Sequence, residues 1–461
     1  MEDILNLDAV VLARLIACGD LTAEALMIAT LDRVDSVNPT LNAIVSRVDR
    51  ETLLAQARAA DAGPSKGPLH GLPIAVKDLA DVTGIPTSMG SPAMTGKAAK
   101  TSDVMVQRMI DAGAIVIGKT NTPEFGLGSH TYNPVFGPTR NAIDHSRSAG
   151  GSSGGAAVAL AAGMIPIADG SDMMGSLRNP AGWNEVYGLR PTWGLVPSEP
   201  KGDTFLHQLS TSGPMARSPA DIALLLDVQA GRDPRQPHSL AHVPISGRLD
   251  ADVTERLIAW LGDWSGAYPM EVGVLDHAAA AVARFETLGC TVEAVPVPFD
   301  AAELWQAWIT LRSWSVSVGL GALYDNAGLR ATLKPEAIWE IERGRALTLS
   351  QVQAASVVRS RWVAKAAKLF ETFDAFVLPT AQCYPFSVAW DWPKEIGGVQ
   401  MDTYHRWMEV VVPVSLIGLP CLALPAGLGV NGLPMGLQIA GPRGADLPLL
   451  QLGQAWHQMR P

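Results

Sequence analysis

Near the start of the chain, apolar positions recur every three to four residues. Residues 7–17 carry one such stripe, which runs out at Gly19-Asp20. Thr22, a side chain able to cap a helix start, opens a second segment with Met27, Leu31 and Val34 on one face, and Asn38-Pro39 is expected to stop it. A third, Ala-rich helix is expected over about 47–62. All three read as helices laid on the outside of a core.

The period then changes. Residues 72–76 read as a strand leading into Lys77-Asp78, 103–112 as a helix, and 115–117 as a buried strand. Residues 120–147 are loop-rich. Small helix formers fill 156–162, and the apolar run 164–168 reads as a strand before Asp169-Gly170. Residues 232–247 lack periodicity and read as a surface connection, whereas about 250–375 reads as mainly helical. Strand character returns at 375–379. Cys421-Leu-Ala-Leu-Pro425 and Met435-Gly-Leu-Gln-Ile439, joined around Asn431-Gly432, read as a β-hairpin, and 448–459 as a closing helix. Alternation of strands and helices predicts an α/β fold with helices covering a mixed β-sheet, divided into two or three domains by length or built as one large α/β unit. No internal repeat is visible.

Composition narrows the function. A chain of 461 residues at 48% hydrophobic can bury a large core. With 45 acidic against 35 basic residues, a net charge of -10, and no basic run, it is not built to bind nucleic acid. Four dispersed cysteines (Cys18, Cys290, Cys383, Cys421) form no metal-binding spacing and suit reduced thiols. The acidic start at Met1-Glu-Asp differs from a signal peptide, and Pro420 and Pro425 break the longest apolar run, so a cytoplasmic protein without a membrane span is expected. Eight of the 13 tryptophans fall between Trp305 and Trp407, where they fill a core or line an apolar substrate pocket.

Candidate chemistry concentrates between Arg147 and Arg178. Glycines surround Ser152 and Ser153, allowing backbone conformations and close approaches closed to other residues, just before a helix N-terminus. A second serine, Ser176, follows the strand expected at 164–168. Hydroxyls and free backbone N–H groups therefore gather in one place, as acyl transfer requires. A serine needs a base. The nine histidines are scattered, and His405 reads as structural or surface. Lys77, at the end of an apolar strand, would be desolvated and could lose its proton near neutrality; a lysine salt-bridged at a strand end, with Asp78 turned away, is the competing reading.

Two motifs mislead. Gly113-Ala-Ile-Val-Ile-Gly-Lys-Thr120 matches a phosphate loop in letters, but its β-branched centre reads as a strand. Gly151-Ser-Ser-Gly-Gly155 matches a nucleophile elbow, yet no strand precedes Ser153.

Gly150-Gly-Ser-Ser-Gly-Gly155, with Ser176 placed 24 residues after Ser152 in Gly170-Ser-Asp-Met-Met-Gly-Ser-Leu-Arg178, and Gly71-Leu-Pro-Ile-Ala-Val-Lys-Asp78 upstream, resembles the amidase signature family of serine hydrolases. The resemblance spans nearly the whole chain and implies one domain over 1–461, a single large α/β/α sandwich with a mixed β-sheet core covered by helices, with a core segment at about 65–200, a variable, mostly helical specificity region at about 200–375, and a return to the core at about 375–461. It implies Ser176 as nucleophile, Ser152 as a bridging serine after a cis peptide bond, and Lys77 as base. The backbone N–H groups of Met173, Met174, Gly175 and Ser176 would form the oxyanion hole. Ser153 would be structural, Asp172 and Arg178 would orient the loop through a partly buried ion pair, and Gln438 would sit in the core. In some members the equivalent arginine binds a substrate carboxylate. No metal or cofactor is implied. Ser171 replaces the family's Thr, and Met173-Met174 its Thr-Gly, two flexible thioethers that are expected to narrow the site and make it more apolar.

The expected activity is hydrolysis of a carboxamide through an acyl-enzyme, on a small, apolar aryl or alkyl amide, with carbamates, esters and oligoamides open to the same chemistry. A homodimer is the assembly considered. The alternatives are the A subunit of a glutamine-dependent tRNA amidotransferase and an inactive binding protein of the same fold.

Overall fold

The computed structural model describes residues 2–459; Met1, Arg460 and Pro461 lie outside the described residues. Thirteen strands occur among those residues: β1 (Ile44–Val45), β2 (Pro73–Lys77), β3 (Ile115–Thr120), β4 (Ile167–Asp172), β5 (Tyr187–Arg190), β6 (Thr211–Ala216), β7 (Leu257–Trp260), β8 (Thr291–Ala294), β9 (Ala375–Pro379), β10 (Glu395–Ile396), β11 (Val399–Gln400), β12 (Cys421–Leu428) and β13 (Pro434–Ala440). Eight form a mixed sheet in the order β4-β6-β5-β12-β13-β9-β7-β8. Its pairs are antiparallel from β4 through β9 and parallel across β9-β7-β8. A smaller sheet, β1-β3-β2, lies with β2 alongside β4. At that seam the Lys77 N–H donates to Asp169 Oδ1 at 3.0 Å, so a side chain makes the link that a ladder bond would otherwise make.

The two-residue period of each strand sends alternate side chains to opposite faces. Ile74, Val76, Val377, Leu422 and Leu437 face one layer, with Leu12, Val106, Leu225 and Leu449 from the helices Ala9–Cys18, Val104–Asp111, Pro219–Gln229 and Asp446–Gln458. Ala75 and Ala423 face the other way, toward Leu31, Leu53 and Ala157 of Ala23–Leu41, Arg50–Ala62 and Gly154–Ala161. Phe376 and Leu378 meet the long helices Ala301–Asp325 and Leu349–Leu369. Helices cover both faces of the sheet.

Thr22 caps Ala23–Leu41 as the pattern predicts, accepting from the Ala25 N–H at 3.1 Å. The helix nevertheless continues through Pro39. Only its last turn is affected, and the Asn38 carboxamide secures the exit by accepting from the Ala43 and Ile44 N–H groups. β4 also starts later than its apolar run suggests and extends over the polar residues to Asp172, because Asp169 and Asp172 find buried partners there. The middle of the chain is not wholly helical: β7 and β8 extend the sheet beyond β9. Beside β4, Gly188 and Gly213 are sites of close approach. A Cβ on Gly188 would stand 2.1 Å from Leu177 O, and one on Gly213 2.3 Å from Leu189 O. Glycine at 188 therefore makes room for the segment that carries Ser176.

Candidate active site

The end of β2, the start of the helix Gly154–Ala161 and the turn after β4 meet at one place. β2 delivers Lys77, buried to 1% exposure. Its Nζ lies 2.8 Å from Ser152 Oγ, 2.8 Å from Ser153 Oγ and 3.1 Å from Ser171 Oγ. Among the described residues it makes no salt bridge. Burial pulls its pKa down from 10.5 to about 7, against the opposing charges of Asp169 and Asp172. Asp78 turns away, accepting from Ser88 Oγ at 2.6 Å and facing Lys119 at 3.9 Å. Lys119, the lysine of the phosphate-loop look-alike, lies in strand β3 and donates to Ala80 O and Thr87 Oγ1, so no phosphate loop exists there.

The Gly151–Ser152 peptide bond is cis. Ser153 holds Lys77 directly: its Oγ accepts from Nζ and donates to Ser171 O at 3.3 Å. Ser152 and Ser176 line the same cavity, of about 190 Å³, but no hydrogen bond joins their hydroxyls.

The turn before Ser176 is clamped from below. Asp172 is fully buried and accepts from the Gly175 N–H at 2.9 Å, the Leu177 N–H at 3.1 Å and Arg178 Nε at 3.0 Å. Arg190 Nη1 adds a second cation at 3.0 Å. Burial alone would raise the Asp172 pKa, but the two guanidiniums outweigh it and hold the carboxyl well below its ordinary range. The ion pair is thus fully rather than partly buried, and Arg190 is a member that sequence reasoning missed. Arg178 spends its other donors on Gln438 Oε1, Ser415 Oγ at 2.6 Å and Val411 O at 3.2 Å. It is a core arginine, closed to a substrate carboxylate.

Of the four N–H groups named for an oxyanion hole, that of Gly175 is taken by Asp172. Those of Met173, Met174 and Ser176 have no protein acceptor among the described residues. Gly175 alone of the four residues takes a positive φ, +79°. The methionines therefore occupy ordinary backbone conformations.

None of the tryptophans lines this cavity. Trp305, Trp308, Trp362 and Trp407 are buried in the core instead. The apolar wall comes from Phe125, Leu127, Val316, Leu320, Met173 and Met174, and Arg312, His405 and the hydroxyls of Ser129, Ser210 and Ser315 complete it. His405 is buried, not at the surface, and stacks on Tyr404. No local pattern marks Arg312, which reaches the cavity from the long helix Ala301–Asp325. Among the described residues no three His, Cys, Asp or Glu side chains converge to hold a metal ion.

A family model described as Amidase matches residues 25–450. The chain belongs to the amidase signature family. It is an amide-hydrolysing enzyme of that family, with an acylamidase of Rhodococcus erythropolis 34% identical over 99% of this chain and 96% of that protein. The A subunit of a glutamyl-tRNA(Gln) amidotransferase from Acidothermus cellulolyticus is also 34% identical, over 99% of this chain and 94% of its own. Among solved structures, a bacterial aryl acylamidase of the amidase signature family superposes with a TM-score of 0.92 at 28% identity, covering 98% of this chain and 96% of that one. A 6-aminohexanoate cyclic dimer hydrolase complexed with substrate reaches 0.88 at 26% identity, covering 98% and 97%. Among the described residues of this amidase no helix is long and apolar enough to cross a membrane.

Proposed function

We propose that the chain hydrolyses a small, largely apolar acyl amide through an acyl-enzyme on Ser176, with Ser152 and Lys77 as the proton relay. The observation that carries this reading is the geometry around Lys77, a buried amine whose Nζ lies 2.8 Å from Ser152 Oγ and Ser153 Oγ and 3.1 Å from Ser171 Oγ. A neutral amine has two N–H groups and one lone pair. Ser153, whose own O–H goes to Ser171 O, takes one N–H, and Ser171 takes the other. The lone pair is left for the hydroxyl of Ser152 at 2.8 Å. Ser152 Oγ can then accept from Ser176 once a substrate draws the two hydroxyls together.

In the proposed cycle Ser176 Oγ attacks the carbonyl carbon while its proton passes to Ser152 and that of Ser152 to Lys77. The oxyanion receives the N–H groups of Met173, Met174 and Ser176. The C–N bond breaks, the relay returns a proton to the departing amine, and water adds to the ester, releasing the acid and restoring Ser176. A cavity of about 150 Å³ admits benzene, so one of about 190 Å³ takes a single ring or a short aliphatic chain. Its apolar wall supports an aryl or alkyl amide over glutamine. The four free cysteines are consistent with a cytoplasmic location.

The test is to incubate the purified chain with a fluorophosphonate and, separately, with a p-nitroanilide and with glutamine. The reading expects an adduct on Ser176 and release of nitroaniline well above release of ammonia. Glutaminase activity without anilide cleavage would favour the amidotransferase reading, and no adduct would favour a binding protein.

A further inference from the structure

Apart from its serine hydroxyls, the polar side chains of the cavity are Arg312 and His405, and the hydrolytic steps use neither. Arg312 is 3% exposed. Its Nε donates to Glu340 Oε1 at 2.7 Å and its Nη2 to Tyr404 OH at 2.7 Å. Tyr404 OH donates in turn to the same Glu340 oxygen at 2.8 Å, closing a ring that fixes the guanidinium plane. Nη1 stands outside the ring. Its one protein partner is the thioether of Met173 at 3.3 Å, a weak acceptor that belongs to the segment leading to Ser176.

His405 is 2% exposed and sits among the rings of Tyr404, Trp305 and Trp339, with centroids 4.4, 5.1 and 6.0 Å away. Neither of its ring nitrogens has a hydrogen-bond partner. Burial, reinforced by Arg312, Arg343 and Arg406, drives its pKa well below the ordinary value, so the imidazole is neutral and offers one N–H. An unpaired buried imidazole costs stability and persists where a ligand or water completes it. Here two donors lack a strong acceptor on the wall that also carries Ser152 and Ser176.

Resting on the hydrolase reading above, we propose that Arg312 and His405 form a specificity subsite for an oxygen acceptor, a carbonyl or a carboxylate, that the substrate carries away from its scissile amide. The fixed guanidinium gives one donor in a set direction and the imidazole a second. The apolar side chains between them and the serines hold the ring or chain that connects the two ends of the substrate.

The test compares kcat/KM for two series of anilides. In one, the acyl chain ends in methyl, methyl ketone or carboxylate. In the other, the same three groups are attached to the aniline ring through a methylene that insulates the scissile bond from their electronic effect. In at least one series the ketone or carboxylate should exceed the methyl compound by at least about tenfold, because a donor pair left empty penalises the apolar analogue. Which of the two gains more tells a neutral acceptor from an anionic one. The preference should fall to within about twofold in His405→Phe and in Arg312→Gln. Removing Arg312 alone strands the Glu340 carboxylate, so the paired variant Arg312→Gln/Glu340→Gln guards against misfolding and should lose the preference equally. Turnover with no preference in either series, or a preference that survives in His405→Phe and in the paired variant, overturns the subsite and leaves the hydrolase reading standing. No anilide turnover and no fluorophosphonate adduct overturns the hydrolase reading itself, and the subsite with it.

Discussion

Asp169 accepts the backbone N–H of Lys77 at 3.0 Å while making no salt bridge to that residue's ammonium. The carboxylate thus positions the lysine without contacting its charge, although its field still opposes deprotonation. Asp169→Asn keeps an acceptor for the N–H and removes that field. The apparent pKa of activity, read from kcat/KM against pH, should then move below that of the wild type. An unmoved profile would mean that Lys77 is not the titrating base.

Asp172 is the anion for two buried guanidiniums, Arg178 and Arg190. Its carboxyl is held below its ordinary pKa, so the stability it contributes is complete above about pH 4 and is lost as pH falls toward the native value. Asp172→Asn leaves two uncompensated charges in the core and should cost about 3–5 kcal/mol. Urea denaturation at neutral pH and at about pH 2.5 measures both effects. A variant within error of wild type would show that the pair does not hold the turn.

Gly188 lets β5 pass under the segment that carries Ser176. Gly188→Ala drives a methyl into Leu177 O, so at least about 1–3 kcal/mol of strain is expected. Because the displaced residue adjoins Ser176, kcat should fall by more than the loss of folded protein explains. Thermal melting and kcat measured together separate the two.

Much of this was legible in the sequence, for identifiable reasons. Lys77, Ser152 and Ser176 stand in local motifs whose residue types point to acyl transfer, and the structure brings Lys77 to Ser152 and sets both serines on one cavity. The sheet was legible where strands are apolar and alternate, as at β2, β9, β12 and β13. β5 and β6 were not, since Tyr-Gly-Leu-Arg and Thr-Ser-Gly-Pro-Met-Ala trade side chains for close approach. Trp305, Trp308, Trp362 and Trp407 fill the core, the plainer of the two readings, and none of them lines the serine cavity, because an apolar ring in sequence does not say which wall it fills. Arg190 depends on Asp172, 18 residues away, Arg312 on Tyr404, 92 away, and the burial of His405 on Trp305, 100 away, and no local pattern encodes them.

Met173 adjoins Arg312 and lines the cavity. Met173→Ala should admit larger acyl groups, raising kcat/KM for a branched acyl anilide by about tenfold relative to the acetyl compound. A parallel loss for both substrates would place Met173 in packing alone.

The most direct measurement is the rate at which Ser176 is acylated, followed by rapid quench and mass spectrometry across about pH 5–9. The account predicts an acyl group on the peptide containing Ser176. It should form at a rate that climbs through about pH 7 to a plateau, and it should slow by about 10²–10⁴-fold in Lys77→Met. An adduct on another residue, a wild-type rate equal at both ends of the range, or an undiminished rate in Lys77→Met would contradict it.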